Sequence, residues 1–237
     1  MDASSAPDRV AARIASELRP QVFGRTAPDR IREPVVEPAW PGQRLIAGVD
    51  GDAVTLFADG VPLDGQERIC WHLAHQVEAS ADGVVVDGYL TKQVADDDGG
   101  VYTGTDALPS TGKLIAQSMV GIRRNRADEA AQAREAEVAA RTFTRDDPVN
   151  LVVTDLLWID GQSLLDVPLM ERLRLLDSLF PGDELVRPGI SVRPPLATWI
   201  GSWRAQGFTA ITFKEVNSRY VSGATAVDWA TGAMPRR

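Results

Sequence analysis

The sequence predicts an α+β protein, and three observations lead there. Apolar runs at 45–57, 83–91, 151–158 and 207–214 have the length and β-branched content of strands. Apolar residues recur every three or four positions at 10–18, 66–77, 168–180 and 196–206, the spacing of helices. The two kinds of segment interleave irregularly, which favours α+β over a doubly wound parallel sheet. At 237 residues the chain can bury a substantial core, as one domain of two lobes or as two small domains.

Taken in order, Val10, Ile14 and Leu18 share a face with alanines between them, and Pro20 ends that helix. A proline-rich connector runs to Pro41. Leu45-Ile46-Ala47-Gly48 and Ala53-Val54-Thr55-Leu56-Phe57 flank Val49-Asp50-Gly51-Asp52, a good hairpin signal. Ile69, Leu73 and Val77 mark the next helix, and 83–91 reads as a strand pair or one bent strand. The stretch 95–112, rich in Asp, Gly, Thr, Pro and Ser, is expected to be an exposed loop. Residues 126–141 carry Ala, Glu, Gln and Arg with few large apolar side chains, so that helix should lie on the surface. A buried strand at 151–158 precedes a helix opened by Pro168, then a helix striped by Leu196, Ile200 and Trp203, and the strand 207–214.

Composition narrows the function. The chain is 44% apolar and 24% charged, ordinary for a globular protein. It has no run long and apolar enough for a membrane span, and its first residues lack the basic start and apolar stretch of a secretory signal. Cys70 is the one cysteine, which excludes an internal disulfide framework and suits a reducing cytoplasm, the expected location. A net charge of −8 argues against gripping a duplex over a broad face. Lysine is limited to Lys92, Lys113 and Lys214, so arginine, which serves phosphates well, carries most of the positive charge.

The most informative stretch is Val152-Val153-Thr154-Asp155-Leu156-Leu157-Trp158-Ile159-Asp160-Gly161, followed by a helix carrying Arg172. Upstream, Ala39-Trp40-Pro41-Gly42-Gln43-Arg44 opens the hairpin, which closes near Ala58-Asp59-Gly60, and Asp87-Gly88-Tyr89 ends a further strand. Downstream come Thr209-Ala210-Ile211-Thr212-Phe213-Lys214, Asn217-Ser218-Arg219-Tyr220 with Gly223, and Asp228-Trp229-Ala230-Thr231-Gly232-Ala233. In order and spacing these resemble the motifs of the adenylation (nucleotidyltransferase) domain of ATP-dependent DNA ligases, over residues 35–229. The resemblance implies a two-lobed, ATP-grasp-like fold of mainly antiparallel sheets flanked by helices. Residues 1–20 would form a helix and lead-in, and 21–237 the adenylation domain, with no room for the OB-fold domain that usually follows.

What the resemblance implies about chemistry is mixed. In the family a lysine amine attacks the α-phosphate of ATP, and the resulting lysine-bound AMP passes to a DNA 5′-phosphate, with metal-held phosphates and surrounding cations. The position of that lysine is Ala39 here, its aspartate neighbour is Pro41, and a second arginine is Ala58. The glutamate of the third motif is Tyr89, the ring that would stack on adenine is Thr154, and both lysines of the last motif are missing. A methyl group is no nucleophile at any pH. Lys214 matches a phosphate-contacting lysine. The expectation is a DNA ligase-like protein that has lost lysine adenylation and binds a partner, a nucleotide or a DNA end. The alternative is an active ligase in DNA repair with an atypical site. No catalytic residue and no metal ligand are assigned. If a pocket for ATP and Mg²⁺ survives, Arg44, Asp87, Asp155 and Lys214 should line it, and the partners would be nicked DNA or a DNA-repair protein, not a membrane.

Other clusters read more plainly. Cys70, His72 and His75 are metal-ligand types, but no fourth ligand is near and Cys70 lies on another side of the helix. Asp96-Asp97-Asp98 lacks the alternating ligands of a calcium loop, and Thr111-Gly112-Lys113-Leu114 lacks the upstream glycine and following hydroxyl of a phosphate loop. Arg123, Arg124 and Arg126 read as a solvated helix start.

Overall fold

The computed structural model describes residues 9–77, 80–92 and 149–235. The expected loop at 95–112 and helix at 126–141, with Lys113 and the Asp96–Asp98 and Arg123–Arg126 clusters, lie outside the described residues.

Helix α1 (Val10–Glu17) is followed by β1 (Val22–Gly24), a short 3₁₀ turn (Pro28–Arg30) and β2 (Pro34–Pro38). The hairpin strands β3 (Gln43–Asp50) and β4 (Ala53–Ala58) lead through β5 (Val61–Leu63) to α2 (Glu67–Val77) and β6 (Gly83–Thr91). Then come β7 (Asn150–Ile159), β8 (Gln162–Ser163), α3 (Leu169–Leu179), β9 (Val186–Pro188), α4 (Ala197–Ala205), β10 (Ala210–Glu215) and β11 (Thr225–Ala233). Two sheets result. The larger has the order β5-β4-β3-β6-β7-β8, with β9 added parallel to β7, and the smaller runs β1-β11-β10-β2. All other pairings except β1 with β11 are antiparallel, so the α+β expectation of mainly antiparallel sheets flanked by helices holds.

Period-two patterning divides the large sheet between two cores. Leu45, Ala47 and Val49 face one side, packed with Ile69, Leu73 and Val77 of α2 and Leu169, Leu173 and Leu176 of α3. Ile46, between them in the chain, faces the other side with Val85 and Leu157. That side is covered by Ala11 and Ala15 of α1 and by Tyr220 and Trp229 of the small sheet's lobe. Alanines on α1 let the helix lie close to the sheet; Gly48 beneath it would drive a Cβ to 2.7 Å from the carbonyl oxygen of Ala11. The first free N–H groups of α1 find their acceptor across the fold, where Asp50 takes Ala11 N–H at 2.8 Å and Ala12 N–H at 2.9 Å. The hairpin aspartate therefore doubles as a helix cap.

The expected connector 21–41 contains two strands. Prolines hid them, yet β2 is an edge strand, where Pro34 and Pro38 need not donate into a second neighbour. Strand 83–91 is one strand with register shifts against β7, and the last motif forms β11. No described helix is long and apolar enough to cross a membrane.

Candidate functional site

At the centre of the large sheet, Asp87 of β6 and Asp155 of β7 are direct cross-strand partners, both fully buried. Two carboxylates so close are tolerable only if each is neutralised. Asp87 receives Arg44 in a two-pronged pair, Nε to Oδ1 at 2.9 Å and Nη2 to Oδ2 at 2.6 Å, and Tyr220 donates its hydroxyl to Oδ2 at 2.7 Å. Arg44 is further held by the Gln21 carbonyl at 2.5 Å and lies between the rings of Phe23 and Tyr89, 5.6 Å from each centroid. Asp155 is bound the same way by Arg172 of α3, Nε to Oδ1 at 2.7 Å and Nη2 to Oδ2 at 2.8 Å. Arg172 also donates to the carbonyls of Val167 at 2.6 Å and Ser218 at 3.2 Å.

These contacts fix the protonation states. Burial alone would lower the pKa of Arg44, but Asp87 outweighs it, and the same contest between burial and Asp155 holds Arg172 charged. Burial pushes the Tyr89 phenol up to about 12, and burial with the neighbouring Asp87 charge pushes Tyr220 well above the usual range. Both phenols are therefore hydrogen-bond donors at neutral pH, not bases.

The second cluster joins β2 to β10. Lys214 Nζ lies 2.8 Å from Glu37 Oε2 and 3.1 Å from Oε1, with both side chains almost wholly buried. Ser191 donates to Glu37 Oε1 at 3.0 Å, and the lysine ammonium stands 4.9 Å from the Trp229 ring centroid. Two residues beyond Glu37, Ala39 is tied to β10 through its N–H and the Ala210 carbonyl at 3.0 Å. Trp40 is buried edge-on against Phe208 at 5.0 Å, in an apolar cluster with Val152, Ile190 and Trp203. The indole N–H groups of Trp40 and Trp203 are buried with no acceptor.

Of the four residues expected to line a pocket, Arg44 borders an open cavity of about 880 Å³ with Arg19, Phe23, Gly42 and Asp59. Asp87 lies directly behind it as its ion-pair partner, and Asp155 sits beside Asp87. Lys214 is not brought to them; it belongs to the separate pair with Glu37. Sequence reasoning missed Glu37, Arg172, Gln21 and Tyr220. Arg172 had a signal, being the arginine of an otherwise apolar helix start three residues after Leu169. Gln21, whose side chain holds Val221 N–H at 2.6 Å, had none. Lys92 is exposed just past β6, and His72 of α2 pairs with Asp183 at 2.8 Å while His75 stacks on Trp71.

No family model matches the chain. Over 97 residues it is 32% identical to DNA ligase B of Mycobacterium tuberculosis, a stretch that makes up 40% of this chain and 19% of that protein. The ligase domain of M. tuberculosis LigD superposes with a TM-score of 0.62 at 22% identity, covering 92% of this chain and 60% of that one. A mycobacterial DNA ligase D complexed with ATP and MES does so with a TM-score of 0.62 at 21% identity, covering 91% and 60%. The chain has the fold of a DNA ligase adenylation domain. The ligase-like chain spans less than two thirds of each of these relatives, and the matched stretch is 26% or less of the curated ones.

Three buried carboxylates, Glu37, Asp87 and Asp155, pair with buried Lys214, part-buried Arg44 and buried Arg172 respectively. The Asp87 and Asp155 pairs belong to the large sheet and its packed helix, and the Glu37 pair lies within the small sheet.

Proposed function

We propose that this chain is a DNA ligase-like protein that does not take up AMP on lysine and works by binding, engaging a nicked DNA end or a repair protein. One observation carries the reading. Alanine stands at position 39, and Lys214, on the strand paired with β2, has its ammonium clamped by Glu37 and set against the Trp229 ring. An amine so held presents no lone pair to a phosphorus atom.

ATP and Mg²⁺ fit the residues poorly. A divalent cation needs free carboxylate oxygens, and both oxygens of Asp87 and of Asp155 are taken by guanidinium groups, those of Glu37 by Lys214. An adenine ring would meet Thr154, a side chain with no π-face. On this reading Arg44, Asp87, Asp155 and Lys214 shape the lobes instead of contacting nucleotide. One structural neighbour is complexed with ATP; this chain is not expected to be.

The test is incubation with α-labelled ATP and Mg²⁺ or Mn²⁺, followed by denaturing electrophoresis. No labelled band is expected. A band that disappears in Lys214→Ala would overturn the proposal and leave an active nucleotidyltransferase with an atypical site. For the binding half, saturating nicked duplex should raise the melting temperature, because a ligand at 100 times its Kd stabilises the folded state by about 2.7 kcal/mol.

A further inference from the structure

We infer that the exposed arginines of the lead-in, residues 9–32, form a docking strip for a nucleic-acid backbone, running past the cavity beside Arg44 that Arg19 and Phe23 also line. The inference rests on the proposed engagement of DNA and says which surface makes it.

Charge asymmetry is the first observation. In a chain of net charge −8, residues 9–32 hold six arginines and only two acids, Glu17 and Asp29. The second is that these arginines are uncompensated. Elsewhere on the surface, Arg68, Arg174 and Arg193 each lie within 4.0 Å of a glutamate. In the lead-in, Arg9, Arg13, Arg25 and Arg30 are exposed and have no ion-pair partner among the described residues. Asp50, at the start of α1, spends both oxygens on backbone N–H groups.

The third observation is how the strip is held. α1 is fixed to the large sheet through Ala11 and Ala15, which turns Arg9 and Arg13 outward, one turn and roughly 6 Å of rise apart. The chain then crosses to the small sheet, where β1 pairs with β11, and Arg25 follows it. Between them Arg19 is tied down: its N–H binds Ser222 Oγ at 2.8 Å, and its carbonyl accepts Gly223 N–H at 3.0 Å. The cations thus ride on a rigid support spanning both lobes, so little ordering entropy opposes binding. Arginines in a row, each with five donors and no competing carboxylate, suit a row of phosphates. The acidic remainder of the surface repels the same polyanion and orients it towards this strip.

The test uses the full chain and a nicked DNA duplex, with binding followed by fluorescence anisotropy over a salt series. Each phosphate contact contributes a slope of roughly −0.9 in log K against log salt, or roughly 8-fold in affinity for each tenfold dilution of salt. The triple variant Arg9→Ala, Arg13→Ala, Arg25→Ala removes exposed, unpaired side chains, so its melting temperature should match the parent. Its slope should shrink by roughly 2.7 and its affinity at about 0.1 M salt fall by two orders of magnitude or more. The control Arg68→Ala, Arg174→Ala should leave both unchanged. If the triple variant binds like the parent, the strip is wrong while engagement of DNA stands. If the parent itself fails to bind duplex at about 50 mM salt, both the strip and the DNA-binding half of the proposed function fall.

Discussion

Replacing Glu37 by alanine should damage this protein more than its single ion pair would on the surface, and the double variant should repair most of the damage. Lys214 Nζ sits 2.8 Å and 3.1 Å from the two Glu37 oxygens, and both side chains are at least 96% buried. With Glu37→Ala the ammonium stays in an apolar setting, supported only by the Trp229 face 4.9 Å away, an interaction of about 2 kcal/mol at best when desolvated. Breaking one side of a buried pair costs about 3–5 kcal/mol. Lys214→Met should cost a similar amount, because Glu37 would keep only the Ser191 hydroxyl at 3.0 Å. Glu37→Leu with Lys214→Met removes both charges and fills the space with carbon, so its net cost should be within about 2 kcal/mol of the parent. Urea unfolding of the parent, of Glu37→Leu and Lys214→Met as singles, and of the double gives the coupling directly. If the two single losses simply add in the double, the pair is not the closed unit described, Lys214 is free to meet a phosphate, and the case against adenylation loses its main support.

Three further outcomes follow from the geometry. Asp50→Ala deprives two N–H groups at the start of α1 of their acceptor and should cost about 1–2 kcal/mol in urea unfolding, whereas Asp50→Asn should recover part of it. Gly42 has φ of 129°, and a Cβ there would lie 2.0 Å from the Leu90 carbonyl oxygen, so Gly42→Ala should lower the melting temperature sharply; an unchanged value would contradict the tight β3–β6 approach. At Asp183, burial raises the carboxyl pKa, but hydrogen bonds from Val186 N–H, His72 and Leu185 N–H outweigh it and hold it below the usual range. A carboxylate with a depressed folded pKa stabilises above its unfolded pKa and loses that contribution as pH falls through the folded one. Parent stability should therefore drop below about pH 4 more steeply than that of Asp183→Asn, measured by melting temperature against pH.

How much was legible beforehand depended on whether a residue's partner was near in sequence. The hairpin was readable because Gly51 marks a turn, closed as Gly51-Asp52, between two apolar runs, and α2 and α3 because Ile69, Leu73 and Val77, or Leu169, Leu173 and Leu176, repeat on one face. β2 was not, since its prolines signal a connector unless one knows that the strand lies at a sheet edge. At the candidate site, residue type pointed to Arg44, Asp87, Asp155 and Lys214, but their partners lie 43, 17 and 177 positions away. An aspartate waiting for a ligand and an aspartate already holding an arginine look identical in a sequence. Only the fold shows that Arg172 and Glu37 arrive first.

That distinction bears on what losing a nucleophile does to the rest of such a site. Changing one lysine to alanine would leave a cavity and unpaired charges, each costly when buried. Here the surroundings are internally balanced: three carboxylates meet three cations, Tyr220 donates a further hydrogen bond to Asp87, and Trp40, Phe208 and Trp203 pack in one apolar cluster. A triphosphate entering this region would have to win Arg44 or Lys214 away from a carboxylate that would then be left buried and alone. The cost of that exchange, several kcal/mol for each pair opened, is set by the partners and not by position 39. On the proposed reading, restoring a lysine at position 39 alone is expected to give no labelled band with α-labelled ATP.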